Sequence, residues 1–175
     1  MTTKKPPVHV DIESVYPQND CVYFRTRAGQ LFVWGTDVGG HGVLGLGKGV
    51  SHTDNLTEIN IPELRSFACT DKFCVALCET GKLYYWGNFF SVGGSKPLIP
   101  ESKYFTPQSL LLEQPAVKVY ASGCSFYLVS NNNSIAVHGT LFNNQPGVKG
   151  ALFAPKLGDI LSVSSSGIVH VEVDY

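Results

Sequence analysis

Two heptapeptides, 29-GQLFVWG-35 and 81-GKLYYWG-87, restrict what this chain can fold into more than any other feature. Gly29 and Gly81 are 52 positions apart, and so are Trp34 and Trp86. A further step of 52 reaches 134-SIAVHG-139, with His138 in place of tryptophan and Gly139 behind it. The apolar runs Val22-Tyr23-Phe24, Val75-Ala76-Leu77 and Phe126-Tyr127-Leu128-Val129 keep the same register upstream. Still earlier come 14-SVYPQND-20, 66-SFACTDK-72 and 119-VYASGCS-125, the third displaced by one residue. A fourth, partial copy follows as 161-LSVSSSGIVHVEV-173. A period of this size marks an array of stacked units, because one such unit cannot bury its own apolar face.

Each unit reads as strands. The G-x-L-x-x-W-G segments are short, aromatic and β-branched, with glycine at both ends. Turn-like residues, 25–28, 78–80 and 130–133, separate them from the preceding apolar runs, so each unit holds a hairpin. A further short strand is expected ahead of each hairpin, at 8–12, 57–61 and 109–112. Pro107 and Pro115 confine the segment between them to a single helical turn at most. With 18 glycines and 10 prolines, the composition favours turns over helices. The expected class is all-β. A flexible tail, 1–7, precedes a single repeat domain, 8–175, with units near 8–52, 53–104, 105–156 and a partial 157–175. Units of this length with three or four strands are the size of propeller blades.

The residues Gly29, Leu31, Trp34, Gly35, Gly42, Leu44, Gly45, Leu46 and Gly47 in the first unit resemble the regulator of chromosome condensation repeat. Gly81, Leu83, Trp86 and Gly87 carry the resemblance into the second unit. The resemblance implies blades of a seven-bladed β-propeller, and assigns these glycines and tryptophans, with His138 and Gly139 in the third unit, to structural repeat positions. Several features depart from the family pattern. Its Cys-Gly and following His are replaced by Ala68-Cys69-Thr70 and Ala121-Ser122-Gly123, and the second unit has 91-SVGGSKP-97 where a glycine-leucine turn belongs. Seven units would need about 364 residues, and this chain has 175. The expectation is therefore a partial propeller of about three and a half blades. Its raw edges would be completed by more of a longer polypeptide, by a second copy, or by another chain.

The stretch 39-GGHGVLGLGKG-49 also spells G-x-G-x-x-G and most of a P-loop. A P-loop needs Ser or Thr after its lysine and a helix whose N-terminus faces the phosphates. Here Gly49 follows Lys48, and no helical pattern comes after it. The dinucleotide fingerprint needs βαβ alternation, which is missing too. The glycines read instead as a turn between strands, with Lys48 in solvent and no cofactor. Cys69, Cys74 and Cys78 lie in an apolar run at spacings that match no zinc pattern, so they read as buried thiols. None of the five histidines stands in a catalytic motif; no catalytic or metal-ligating residue is expected. The adjacent Phe89 and Phe90 are the weak binding candidates, placed to pack between blades or to project as a hot spot.

A net charge of −1 gives no footprint for nucleic acid or an anionic membrane. No apolar run suits a membrane span or a secretory signal, which places the protein inside the cell, in cytoplasm or nucleus. The expected function is a non-catalytic protein–protein interaction module. The alternative, implied by the resemblance alone, is guanine-nucleotide exchange on a small GTPase.

Overall fold

A computed structural model describes residues 10–88, 103–110, 112, 115–122, 125–131, 135–139, 151–153, 160–163 and 169–171, those from 135 onward as backbone strands. Among the described residues there is no helix. The first sheet runs in chain order through β1 (Ile12–Pro17), β2 (Cys21–Thr26), β3 (Leu31–Thr36) and β4 (His52–Ile59). The second repeats the order with β5 (Leu64–Cys69), β6 (Phe73–Cys78), β7 (Leu83–Gly87) and β8 (Gln108–Leu110). The third has β9 (Lys118–Ser122), β10 (Ser125–Val129), β11 (Ile135–Gly139) and β12 (Ala151–Phe153). A two-stranded sheet, β13 (Ile160–Val163) with β14 (Val169–Val171), ends the series. All pairings are antiparallel. This is the partial propeller expected from the repeat.

The 52-residue step holds at the level of single pairs. Cys21 faces Gly35, Phe73 faces Gly87, and Ser125 faces Gly139. Pro17 faces Val22, Cys69 faces Cys74, and Ala121 faces Phe126. The third unit therefore needs no one-residue slip. Matching Val119 to Ser66 by neighbouring residue types displaced it; strand pairing aligns Val119 with Phe67. The segments 57–61 and 109–112 also differ from their expected place. Both contribute to the fourth strand of the preceding sheet, β4 and β8, because a period says nothing about where a unit begins.

The turn between hairpin strands recurs too. Gly29 N–H donates to Thr26 O at 3.0 Å, and Gly81 N–H donates to Cys78 O at 2.9 Å. At the far end of each hairpin, Gly35 and Gly87 follow the tryptophan with φ of 126° and 94°. A Cβ at Gly35 would lie 2.4 Å from Asp20 O, and one at Gly87 2.5 Å from Lys72 O. Glycine is required there because the strand-end backbone of the hairpin partner passes too close for any side chain.

Alternation along the strands separates two faces of each sheet. Cys21, Tyr23, Leu31, Val33 and Ile59 of the first sheet pack against Leu64, Phe67, Cys74, Ala76 and Trp86 of the second. Phe73, Val75, Leu77 and Leu83 of the second pack against Val119, Phe126 and Leu128 of the third. We call the face turned to the next sheet trailing and the face turned to the previous one leading. Among the described residues the core is thus the pair of seams between sheets, as expected of stacked blades.

Candidate functional site

The glycine-rich connection between β3 and β4 leaves its own sheet and inserts into the second. It starts at Asp37, whose carboxylate is buried. Asp37 Oδ1 accepts the His41 N–H at 2.9 Å, and Oδ2 accepts the Gly42 N–H at 2.7 Å. These bonds fold 37–42 into a tight hook and direct the chain inward. Gly40, Gly42, Gly45, Gly47 and Gly49 all have positive φ. Val43 and Leu44 are buried at the tip.

At that tip the Val43 carbonyl accepts hydrogen bonds from both sheets. Tyr23 Oη donates from the first sheet at 2.5 Å, and Trp86 Nε1 donates from the second at 2.9 Å. The Cys74 thiol approaches the same oxygen at 3.6 Å. Gly45 lies against the indole, and a Cβ there would be 2.9 Å from Trp86 Nε1. Phe67 stacks beside Trp86 at 6.1 Å between centroids, and Tyr16 and Tyr23 close on Phe67 at 4.9 and 5.2 Å. Gly47 N–H donates to Phe105 O at 3.0 Å, tying the hook to the second sheet's own connection. Lys48 is exposed. Of the N–H groups that a nucleotide cradle would offer to phosphate, those of Gly42, Gly45 and Gly47 are bonded to Asp37, Gly42 and Phe105. The turn thus joins two sheets, beyond the strand connection expected of it.

Of the expected repeat positions, Gly29 and Gly81 form hairpin turns, while Gly35 and Gly87 sit at strand ends. Gly42, Gly45 and Gly47 shape the hook. His138 and Gly139 lie on β11, opposite Phe126 and Ser125. Trp34 and Trp86 share a register, facing Val22 and Cys74 respectively. Their burial differs: Trp86 is fully buried and Trp34 is 49% exposed. Phe89 and Phe90 lie outside the described residues.

The thiols belong to the seam. Cys21, Cys74 and Cys78 are buried and Cys69 is half-buried, all unpaired to one another. Burial raises each of them: Cys69 is pushed up to about 12 and Cys78 to about 11, and Cys74 stands well above the ordinary thiol range. Burial also pushes the Tyr23 phenol well up. Neutral thiols of this kind are poor nucleophiles at ordinary pH. Among the described residues no group of His, Cys, Asp and Glu could hold a metal ion.

One arrangement was invisible in the sequence. Thr36 Oγ1 lies 2.7 Å from His52 Nδ1, and His52 Nε2 lies 2.6 Å from Asp54 Oδ1. The signal for it, His52-x-Asp54, is a pair on one face of a strand; Thr36 joins only through its cross-strand pairing with His52. The imidazole and the carboxylate side chains are 53% and 87% exposed. Water screens such a chain. Beside it, the loops at 18–20, 37–41 and 70–71 surround a recess of about 160 Å³ that includes Asp20, Asp37, Asp71 and His41. Among the described residues, no helix is long and apolar enough to cross a membrane.

No protein-family model matches the chain. It is 27% identical to the Schizosaccharomyces pombe protein pim1 over 143 residues, which are 81% of this chain and 26% of that protein. Its fold is similar to that of human WBSCR16, with a TM-score of 0.65 and 16% identity, covering 82% of this chain and 38% of the other. It is also similar to Prp20p of Saccharomyces cerevisiae, with a TM-score of 0.57 and 20% identity over 74% of this chain and 33% of the other. The Prp20p structure was described together with that protein's binding to Gsp1p and histones. The chain therefore spans well under half of each of these three proteins. In its repeat register and blade seams the chain is similar to propellers of the regulator of chromosome condensation type, as a short and divergent array of blades.

Proposed function

We propose that the chain is a non-catalytic protein-binding module that works inside the cell, in cytoplasm or nucleus. The observation that carries this reading is the hook at 37–49. It is the stretch of sequence with the strongest chemical signature, and its Val43 carbonyl and Gly47 N–H are bonded to Tyr23, Trp86 and Phe105. The buried thiols are likewise neutral packing groups. What the scaffold offers to a partner is its loops, held at blade ends by a rigid sheet array, and such loops are where propellers carry recognition. Neither a cofactor nor a metal enters this reading, and nucleic acid and membrane surfaces are not its targets, given the near-neutral charge.

A second reading is regulation of a small GTPase by nucleotide exchange. It is favoured by the likeness to Prp20p, a protein described with Gsp1p. Exchange needs no triad, only a surface that prises nucleotide out, so a lack of catalytic geometry does not oppose it. It rests on likeness of fold. The two readings separate in one experiment that follows both binding and release of labelled GDP across Ran-, Rab- and Rho-type GTPases. Release at the uncatalysed rate, whether or not the GTPase binds, is expected of the module. Accelerated release by any member of the panel overturns it and establishes exchange.

A further inference from the structure

The second sheet carries two thiols at one position of its hairpin. Cys69 and Cys74 face each other directly across β5 and β6. Both lie on the leading face, Cys74 inside the first seam and Cys69 packed against it. One step nearer the turn, Thr70 N–H donates to Phe73 O at 2.8 Å, so Thr70 and Phe73 are a hydrogen-bonded pair. Bonded and non-bonded pairs alternate along an antiparallel ladder, which makes Cys69 and Cys74 a non-hydrogen-bonded pair. Such a pair has its Cα atoms about 4.5 Å apart and its side chains at their closest. A disulfide accepts Cα separations of about 4.4–6.8 Å and Cβ separations of about 3.5–4.5 Å. The two sulfurs can therefore meet by side-chain rotation, with the backbone left in place.

Packing does not call for this pair. The same positions hold Pro17 and Val22 in the first sheet, and Ala121 and Phe126 in the third. The present contacts of the thiols are few: Gln18 Nε2 donates to Cys69 Sγ at 3.2 Å, and Cys74 Sγ donates to Val43 O at 3.6 Å. If the Cys74 proton leaves, the Val43 carbonyl still has Tyr23 and Trp86 as donors, so no buried acceptor is orphaned. Access to the two thiols is unequal, since Cys74 is fully buried and Cys69 half-buried. Gln18 and Thr70, the hydrogen-bond partner and chain neighbour of Cys69, line the 160 Å³ recess through which a small molecule would approach. Cys21 lines the recess too, but it faces Gly35 and has no thiol opposite it.

We propose that Cys69 and Cys74 are a redox-sensitive modification site, which exchange with a small-molecule disulfide closes into a cross-strand disulfide and excess thiol reopens. Cys69, as thiolate, attacks one sulfur of the small disulfide, and the first small thiol departs with the proton that Cys69 released. Cys74 then attacks Cys69 Sγ, and its proton leaves with the second small thiol. Two protein thiols are oxidised and one small disulfide is reduced to two thiols. Burial raises both cysteines above the ordinary thiol range, so the exchange is slow at neutral pH and quickens in mild alkali. This site goes beyond the binding role proposed above and does not depend on it.

The test treats the intact, folded chain with oxidised glutathione in mild alkali, quenches in acid, alkylates free thiols and maps tryptic peptides by mass. Cleavage after Lys72 separates the two cysteines into peptides 66–72 and 73–82. Wild type is expected to give these peptides joined, with an unchanged far-ultraviolet spectrum, and reduced glutathione is expected to part them. Peptide 73–82 also holds Cys78, so Cys78→Ala is expected to keep the link. In Cys74→Ala the link is expected to be lost, with glutathione held on Cys69 in its place. Wild type carries the test even where a variant fails to fold. Absence of the joined peptides at every oxidant concentration overturns the proposal. So does a link from Cys69 or Cys74 to Cys21, Cys78 or Cys124 instead, and so does a link that forms only in urea.

Discussion

Trp34 and Trp86 occupy the same repeat position, follow the same pattern of neighbours and precede glycines that do the same job. One is a fully buried hydrogen-bonded core residue and the other is half in water. The difference lies in what comes before each. The second sheet has the hook at 37–49 pressed onto its leading face; the first has none among the described residues. A repeat motif thus specifies a side chain's direction, and the neighbouring unit decides its environment.

Substitutions can break or sharpen this contrast. Trp86→Ala removes a buried ring and the donor to Val43, and should cost about 3–5 kcal/mol in urea unfolding. The same change at position 34 should cost under about 1 kcal/mol. Equal effects at the two sites would mean that Trp34 is covered as Trp86 is. Gly45→Ala should cost about 3 kcal/mol, because φ is 66° and the new Cβ would meet the Trp86 indole. Gly47→Ala separates the two causes. Its φ of 114° is also positive, but nothing lies within 4 Å of the new atom, so about 1 kcal/mol of backbone strain is expected.

Tyr23→Phe keeps the ring against Phe67 and removes one of the donors to Val43. A loss of about 1 kcal/mol is expected, since Trp86 still satisfies that carbonyl. The smallest effect should come from mild alkali. Burial holds the Cys69 thiol up to about 12, so the folded chain keeps a proton that the unfolded chain releases above about pH 9. Stability should be unaffected by this group below that pH and decline as pH rises through it towards 12. A urea midpoint that falls less steeply with pH in Cys69→Ala than in wild type would assign the decline to this thiol.

Much of this was legible in advance. The step of 52 between Trp34 and Trp86 located all three hairpins, and pairing confirms it residue by residue. The absence of Ser or Thr after Lys48 and of any helical pattern beyond it argued for a turn between strands, and 37–49 does connect β3 to β4. Other features were out of reach for physical reasons. A period is unchanged by shifting its origin, so β4 and β8 could not be assigned to the preceding sheet. Burial of Trp86 depends on a carbonyl 43 residues earlier in the chain, at Val43. The Thr36–His52–Asp54 chain depends on cross-strand register, which no local pattern states. The weak candidates Phe89 and Phe90 remain a proposal from sequence.

The Val43 carbonyl has a thermodynamic consequence for the whole array. Tyr23 of one sheet and Trp86 of the next both donate to a single acceptor, so separating the sheets strands a donor on the second and uncovers Phe67 and Leu64 at once. In a linear array the balance between intrinsic unit stability and nearest-neighbour coupling decides cooperativity. Coupling at this joint should make the first two units open as a single foldon, with their amides exchanging at a common rate in a hydrogen-exchange measurement, rather than fraying one after the other from the N-terminal end.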